Sequence, residues 1–299
     1  MIPIIDAHHH IWRKNDLAWL SGPMQPRIFG PYEPIRRDYP IEEYLADLDG
    51  CGVVGSVYVQ TNWPKGGELD EVRWVEAEAR RSGWPQAIVS YLDLLDVKGA
   101  EAMLDAQQAA SPRLRGVRMQ LHWHENPLYR FAADANLMGD ARLRRNLAMI
   151  AERGLLFDFQ IFASQMRDGA ALAADLPGLP FVLMHAGMLE DLSPQGRSAW
   201  REGMRRLADQ PNVHVKLSGL GTFLHRCDPA HVEDVTLQTV EMFGPERCVF
   251  GSNFPIEKLW TSYPALVEAH RRALSSLDET AQRRILHDNA ASLYRLAGA

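Results

Sequence analysis

Eight short apolar runs alternate with amphipathic segments rich in Ala, Arg and Glu from one end of this chain to the other, and that alternation constrains its fold more than any other feature. The runs fall at 2–10 (IPIIDAHHH), 55–61 (GSVYVQT), 85–93 (PQAIVSYLD), 114–121 (LRGVRMQL), 154–162 (GLLFDFQIF), 179–187 (LPFVLMHAG), 212–219 (NVHVKLSG) and 247–255 (RCVFGSNFP). Short, continuously apolar runs suit strands buried on both faces of a parallel sheet. Helix signals separate them. Ser193-Pro194 and Asp228-Pro229 each pair an N-cap residue with proline at the first helical position. Gly83 and Gly154 stand where a helix should stop before the next strand. Alternating strands and helices predict a parallel sheet, and eight repeats predict its closure into a (β/α)₈ barrel. No GxGxxG turn follows the first run, which argues against a dinucleotide fold.

The 299 residues suit one such barrel, and residues 1–299 read as one domain without an internal boundary. Residues 13–40 and 122–138 lack a helical pattern, and the barrel topology makes them long βα loops on the catalytic face. Residues 278–296 read as terminal helices packed across the barrel. The net charge of −6 and the scattered basic residues point away from nucleic acid and anionic membranes. No run is long and apolar enough for a membrane span. Three widely spaced cysteines and no leader pattern predict a cytoplasmic protein. The expected partner is a small-molecule substrate, and a homo-oligomer is compatible with the sequence.

Side chains two apart on a strand share a face. Asp6, His8 and His10 are therefore expected on one face of the first strand, with His9 turned toward the helices. Two imidazoles at i and i+2 on a strand end are hard to explain as structural residues. The other strand ends offer partners: Tyr58, Gln60 and Asn62 on the second, Arg118 and Gln120 on the fourth with His122 beyond, Asp158 and Gln160 on the fifth, His185 on the sixth, Lys216 and Ser218 on the seventh, and Asn253 on the eighth. Polar groups are costly in a packed lumen unless they are satisfied, so their concentration at strand ends marks a site. Arg118 suits a carboxylate or carbonyl oxygen. Lys216 and Asp158 read equally as site residues or as a buried ion pair. Trp12, Trp19, Trp63, Trp123 and Trp260 could stack on a ring, anchor the loops or cover a subunit interface. His214, His225, His231, His270 and His287 read as structural.

DAHHHIW in the first run, HAG in the sixth, VHVKLSGL in the seventh, FGSNFP in the eighth and NAASLYRL at the end resemble the amidohydrolase superfamily. The resemblance is closest to its lactonase-type branch, amidohydrolase 2, which includes sugar lactonases and 2-pyrone-4,6-dicarboxylate lactonase. It implies a distorted TIM barrel that hydrolyses esters, lactones or amides, with His8, His10 and His185 at the family's histidine positions. Asn253 stands where the family has an aspartate that takes the proton from the attacking water. Asparagine cannot be a general base and is a poorer metal ligand. The resemblance thus leaves two cofactor states open: none, or one divalent metal, best Zn²⁺, held by the three histidines. It also moves the base to Asp158, His185 or Glu257.

The expectation is hydrolysis of a sugar-derived or other oxygenated lactone. His8, His10 and Arg118 would polarise the carbonyl, and Asn253 would orient water. Gln60, Gln120, His122, Lys216 and Trp12 would contact the substrate. The alternatives are a lactone isomerase or decarboxylase on the same scaffold, and a non-catalytic barrel that binds a small molecule.

Overall fold

The computed structural model describes residues 2–296. Eight parallel strands follow one another in sequence order around a single sheet. They are β1 (Ile4–His9), β2 (Val53–Val59), β3 (Ala87–Tyr91), β4 (Leu114–Gln120), β5 (Leu156–Gln160), β6 (Phe181–Leu183), β7 (Val213–Leu217) and β8 (Cys248–Phe250). The sheet closes on itself just beyond β8. His9 bridges Phe254 in parallel, the His10 amide donates to the Phe254 carbonyl at 2.8 Å, and the Asn253 amide donates to the His8 carbonyl at 2.7 Å. The barrel is therefore closed by the residues expected to carry the chemistry.

The helices begin and end where local chemistry requires. Helix α1 is a four-residue turn, Ala18–Ser21, and α2 spans Ile41–Asp47. Then come α3 (Glu68–Ser82), α4 (Ala100–Ala110), α5 (Ala141–Glu152), α6 (Met166–Asp175), α7 (Pro194–Ala208), α8 (Pro229–Phe243) and α9 (Tyr263–Leu274). Ser193 caps α7 through the Gly196 amide, and Asp228 caps α8 through the Ala230 amide, each with proline next in line. Gly83 ends α3 in the left-handed region.

The lower half of the barrel interior carries an apolar cluster. Ile5, Ala7, Val57, Val59, Ala87, Val89, Leu156, Val182 and Val249 pack there against Ala290, Tyr294 and Leu296 of the C-terminal segment. That segment runs through α10 (Glu279–Arg283), a π-turn over Arg284–Asp288 and α11 (Asn289–Leu293), as its expected packing across the barrel requires. The outward faces of the strands pack on the helices through residues such as Ile88, Phe157, Phe181 and Val215. Among the described residues no helix is long and apolar enough to cross a membrane.

One expectation about side-chain direction is overturned. In β1 the register jumps between Asp6, opposite Ser56, and His9, opposite Tyr58, so three residues of β1 face two of β2. This bulge reverses the alternation. Asp6 points out toward the helices, where its carboxylate accepts from Tyr44 of α2 and Tyr263 of α9, both at 3.0 Å. It also accepts from the Ser252 amide and hydroxyl and from the His8 amide. His9 points outward as expected and stacks on Tyr44, with ring centroids 3.9 Å apart.

Candidate active site

A cavity of about 200 Å³ opens at the C-terminal ends of the strands. His10, Gln60, Arg118, Gln120, Gln160, His185 and Asn253 reach it from the barrel. Trp12, Trp19 and residues 26–29 reach it from the first long loop, and His122, Pro127, Leu128, Arg130 and Phe131 border it from the second. Three of the turns that form its floor carry non-glycine residues in the left-handed region: Asn62 at φ 62°, His185 at φ 55° and Asn253 at φ 56°. Such conformations persist only where the surroundings impose them, and they cluster at functional sites. β6 and β8 are short for this reason, since the chain turns out of each strand before His185 and Asn253.

His10 is the most tightly defined group. Its Nδ1 lies 2.7 Å from the Val59 carbonyl oxygen, which can only accept. The ring proton therefore sits on Nδ1, and Nε2 carries a free lone pair. Burial, reinforced by Arg118, pushes this imidazole down to about 3. His10 is a neutral base in the cavity wall.

Arg118 is its counterpart. It donates to the Gln60 carbonyl at 3.2 Å and to the Gln160 side chain at 2.9 Å, while its Nε–H is buried without a partner. Burial lowers the guanidinium only to about 10, against the pull of Asp158, so it stays cationic at neutral pH. The cation in turn helps hold the neighbouring imidazoles neutral. Burial first and then Arg118 push His122 down to about 3 and His185 well below its ordinary range.

His185 hydrogen-bonds Ser218 at 2.9 Å. A Cβ on Gly219, which has φ +61°, would sit 2.5 Å from the His185 ring, so glycine there makes room for the imidazole. The Asn253 side chain lies between the His10 ring and the Glu257 carboxyl. Glu257 is buried, accepts from the Trp260 indole at 2.7 Å, and is pushed up to about 8 by burial.

Other expected site residues lie off the cavity wall. Asp158 and Lys216 are fully buried and in direct contact, beside Tyr294 of the C-terminal segment. Of the two readings open for them, the structure forms the buried pair. Asp158 is therefore replaced as a candidate base, and Lys216 as a substrate contact, because each is held by the other. His8 lies behind the wall, its ring centroid 5.1 Å from that of His10 and 4.9 Å from that of His185, with neither ring nitrogen partnered. Direct polarisation of a carbonyl by His8 is revised accordingly. Tyr58 turns outward to Glu71 of α3 at 2.8 Å, whereas Gln60, one residue past the end of β2, turns inward.

Among the described residues no group of three or more His, Cys, Asp or Glu is arranged to hold a metal ion. Sequence reasoning missed Thr61, Thr222, Ile256, Arg27 and Arg130 as cavity residues. Arg27 and Arg130 lie in loops without periodicity, where no pattern fixes direction.

Residues 5–296 match the family model described as Amidohydrolase. A Sinorhizobium fredii protein, y4mH, is 31% identical over 297 residues, covering 99% of each chain. L-fucono-1,5-lactonase of Burkholderia ambifaria is 30% identical over 305 residues, covering 98% of this chain and 95% of the lactonase. Among solved structures, an amidohydrolase from Burkholderia multivorans with bound HEPES superposes with a TM-score of 0.83 at 26% identity, covering 98% of this chain and 99% of that one.

Proposed function

The chain belongs to the amidohydrolase family, and from that premise we propose that it hydrolyses a lactone of an oxygenated small molecule. One observation carries the reading: a buried guanidinium with an unpartnered N–H and an imidazole with an unprotonated outer nitrogen face the same cavity. The first suits a carbonyl oxygen and the second suits a water. The similarity to L-fucono-1,5-lactonase supports an ester ring as the bond attacked.

In this reading the lactone carbonyl oxygen binds Arg118, whose charge stabilises the oxyanion of the tetrahedral intermediate. Water bound at His10 Nε2 gives that nitrogen a proton as its oxygen attacks the carbonyl carbon. The intermediate collapses with cleavage of the acyl C–O bond, and the imidazolium returns the proton to the departing alkoxide. The product is the open hydroxy acid. Asn253, beside Glu257, orients the water as a hydrogen-bond partner, the one part of the aspartate's role that an amide can perform. Gln60, Gln120, Gln160, His122 and Trp12 present hydrogen bonds and one ring face to the rest of the substrate.

Cys51, Cys227 and Cys248 are free thiols, which supports a cytoplasmic setting. The test is a panel of sugar lactones with proton release followed by a pH indicator. Stoichiometric acid release at a rate that scales with enzyme supports the reading. Release of CO₂, or an isomeric lactone without acid, would move the chain to another reaction of the same scaffold.

A further inference from the structure

Three consecutive carbonyls at the end of β2 hold three groups of the cavity. Val59 accepts from His10 at 2.7 Å, Gln60 from Arg118 at 3.2 Å and Thr61 from the Trp19 indole at 2.9 Å. A trans peptide is planar, and its N–H and C=O point opposite ways. A bond to the N–H on one side therefore aims the carbonyl on the other, so each carbonyl here is directed by whatever holds the amide of the next residue.

The Gln60 amide, which aims the Val59 carbonyl, donates to Val89 of β3 at 2.9 Å. The Asn62 amide, which aims the Thr61 carbonyl, donates to the Gln60 side chain at 2.6 Å. The Thr61 amide, which aims the Gln60 carbonyl at Arg118, donates to Glu71 of α3 at 2.7 Å. The same oxygen of Glu71 accepts from the Thr61 hydroxyl at 2.9 Å and from Tyr58 at 2.8 Å. Glu71 is buried, and burial raises its carboxyl to about 7 against the pull of those donors. An anchor for the turn could engage any of its peptides, or lie at the surface where a carboxyl stays solvated. Glu71 instead takes the one peptide of the three that neither β3 nor the turn itself holds. That peptide bears the carbonyl on Arg118.

We propose that Glu71 is a positioning residue for Arg118, acting through the Gln60–Thr61 peptide to set the guanidinium that binds the ester carbonyl. The inference rests on the lactonase reading for the role of Arg118 and goes beyond it to a helix residue outside the cavity. Gln160 holds another nitrogen of the guanidinium at 2.9 Å. Losing the Gln60 carbonyl would leave Arg118 attached there alone and free to swing about that point, and misplaced groups cost rate.

Two substitutions separate reach from charge. Glu71→Gln keeps an oxygen within reach of the Thr61 amide and loses the charge, whereas Glu71→Asp keeps the charge and withdraws the oxygen by one methylene. Rates on a hydrolysed lactone are normalised to the folded fraction taken from unfolding curves. Glu71→Gln is expected to stay within about threefold of the wild-type kcat, and Glu71→Asp to fall by about tenfold or more. In an Arg118→Met background the Asp penalty should shrink to less than about twofold, because the group that Glu71 positions is gone. An unchanged kcat in Glu71→Asp, a loss in Glu71→Gln at least as large, or an Asp penalty undiminished beside Arg118→Met overturns the assignment and leaves lactone opening intact. If no lactone opens, the same variants are read by nitrogen-15 NMR of the arginine Nε–H groups. The buried Arg118 signal is the one absent from Arg118→Met. That signal held in place by Gln and displaced or lost with Asp supports the positioning role whatever the reaction. A signal that Asp leaves in place, or that both variants displace alike, overturns it.

Discussion

The His10 Nδ1 lies 2.7 Å from the carbonyl oxygen of Val59, so the end of β2 dictates which nitrogen of His10 carries the proton. A backbone carbonyl cannot rotate away or donate, and it therefore holds the tautomer more firmly than a hydroxyl would. His10 Nε2 is thereby fixed as an unprotonated acceptor in the cavity wall. Most of the proposed chemistry follows from that relationship.

Replacing His10 by Asn keeps a donor for Val59 but removes the base. The expected result is a loss of about 10²–10⁴ in kcat with little change in KM, measured by steady-state hydrolysis. A KM effect alone would make His10 a binding group.

The pH profile should be flat where an ordinary histidine titrates. Burial and Arg118 hold His10 down to about 3, so the basic form persists as pH falls, and kcat should not decline between pH 8 and roughly 5. Arg118→Met removes one cause of the depression and should move the acid limb upward. A limb near 6.5 in the wild type would show that the active base is a different or more exposed group.

Glu257 makes a separate prediction about stability. Its folded value is raised to about 8, from 4.5, by burial, so between those values the folded chain holds a proton that the unfolded chain has lost. Its contribution is full below 4.5 and declines as pH rises toward 8, by at most about 1.4 kcal/mol per pH unit. Glu257→Gln stays neutral throughout. Urea unfolding from pH 5 to 8 should therefore show the variant gaining on the wild type as pH rises, and parallel curves would count against a neutral buried carboxyl.

Asp6 holds the bulge that turns His8 and His10 inward. Its carboxylate accepts from the amides of His8 and Ser252 and from the hydroxyls of Ser252, Tyr44 and Tyr263. Asp6→Asn turns an amide NH₂ on some of those donors and should cost on the order of 3 kcal/mol in denaturant unfolding. A change below about 0.5 kcal/mol, the range of ordinary surface substitutions, would mean the network is dispensable.

Much of this arrangement was legible before the structure. Eight apolar runs, the caps at Ser193 and Asp228 and the stop at Gly83 specify strands and helices through local chemistry alone. Arg118 and Gln120 fall on the lumen face because β4 keeps its alternation through both. A pattern of period two puts Asp6 on the lumen face, and the bulge, one extra residue that such a pattern does not register, turns it outward. Lys216 and Asp158 stay open in the sequence between site and buried pair because they are 58 residues apart, and the closed barrel brings them into contact. Arg27 and Arg130 sit in loops whose direction is set by Trp19 and Trp123, and no local pattern carries that information.

The most direct test of the central claim is lactone hydrolysis in water enriched in oxygen-18, with the product examined by mass spectrometry. Attack of water on the carbonyl carbon predicts one heavy oxygen per turnover, located in the new carboxylate and absent from the new hydroxyl. Label in the hydroxyl, or a turned-over product without label, would contradict activation of water beside Arg118 and His10.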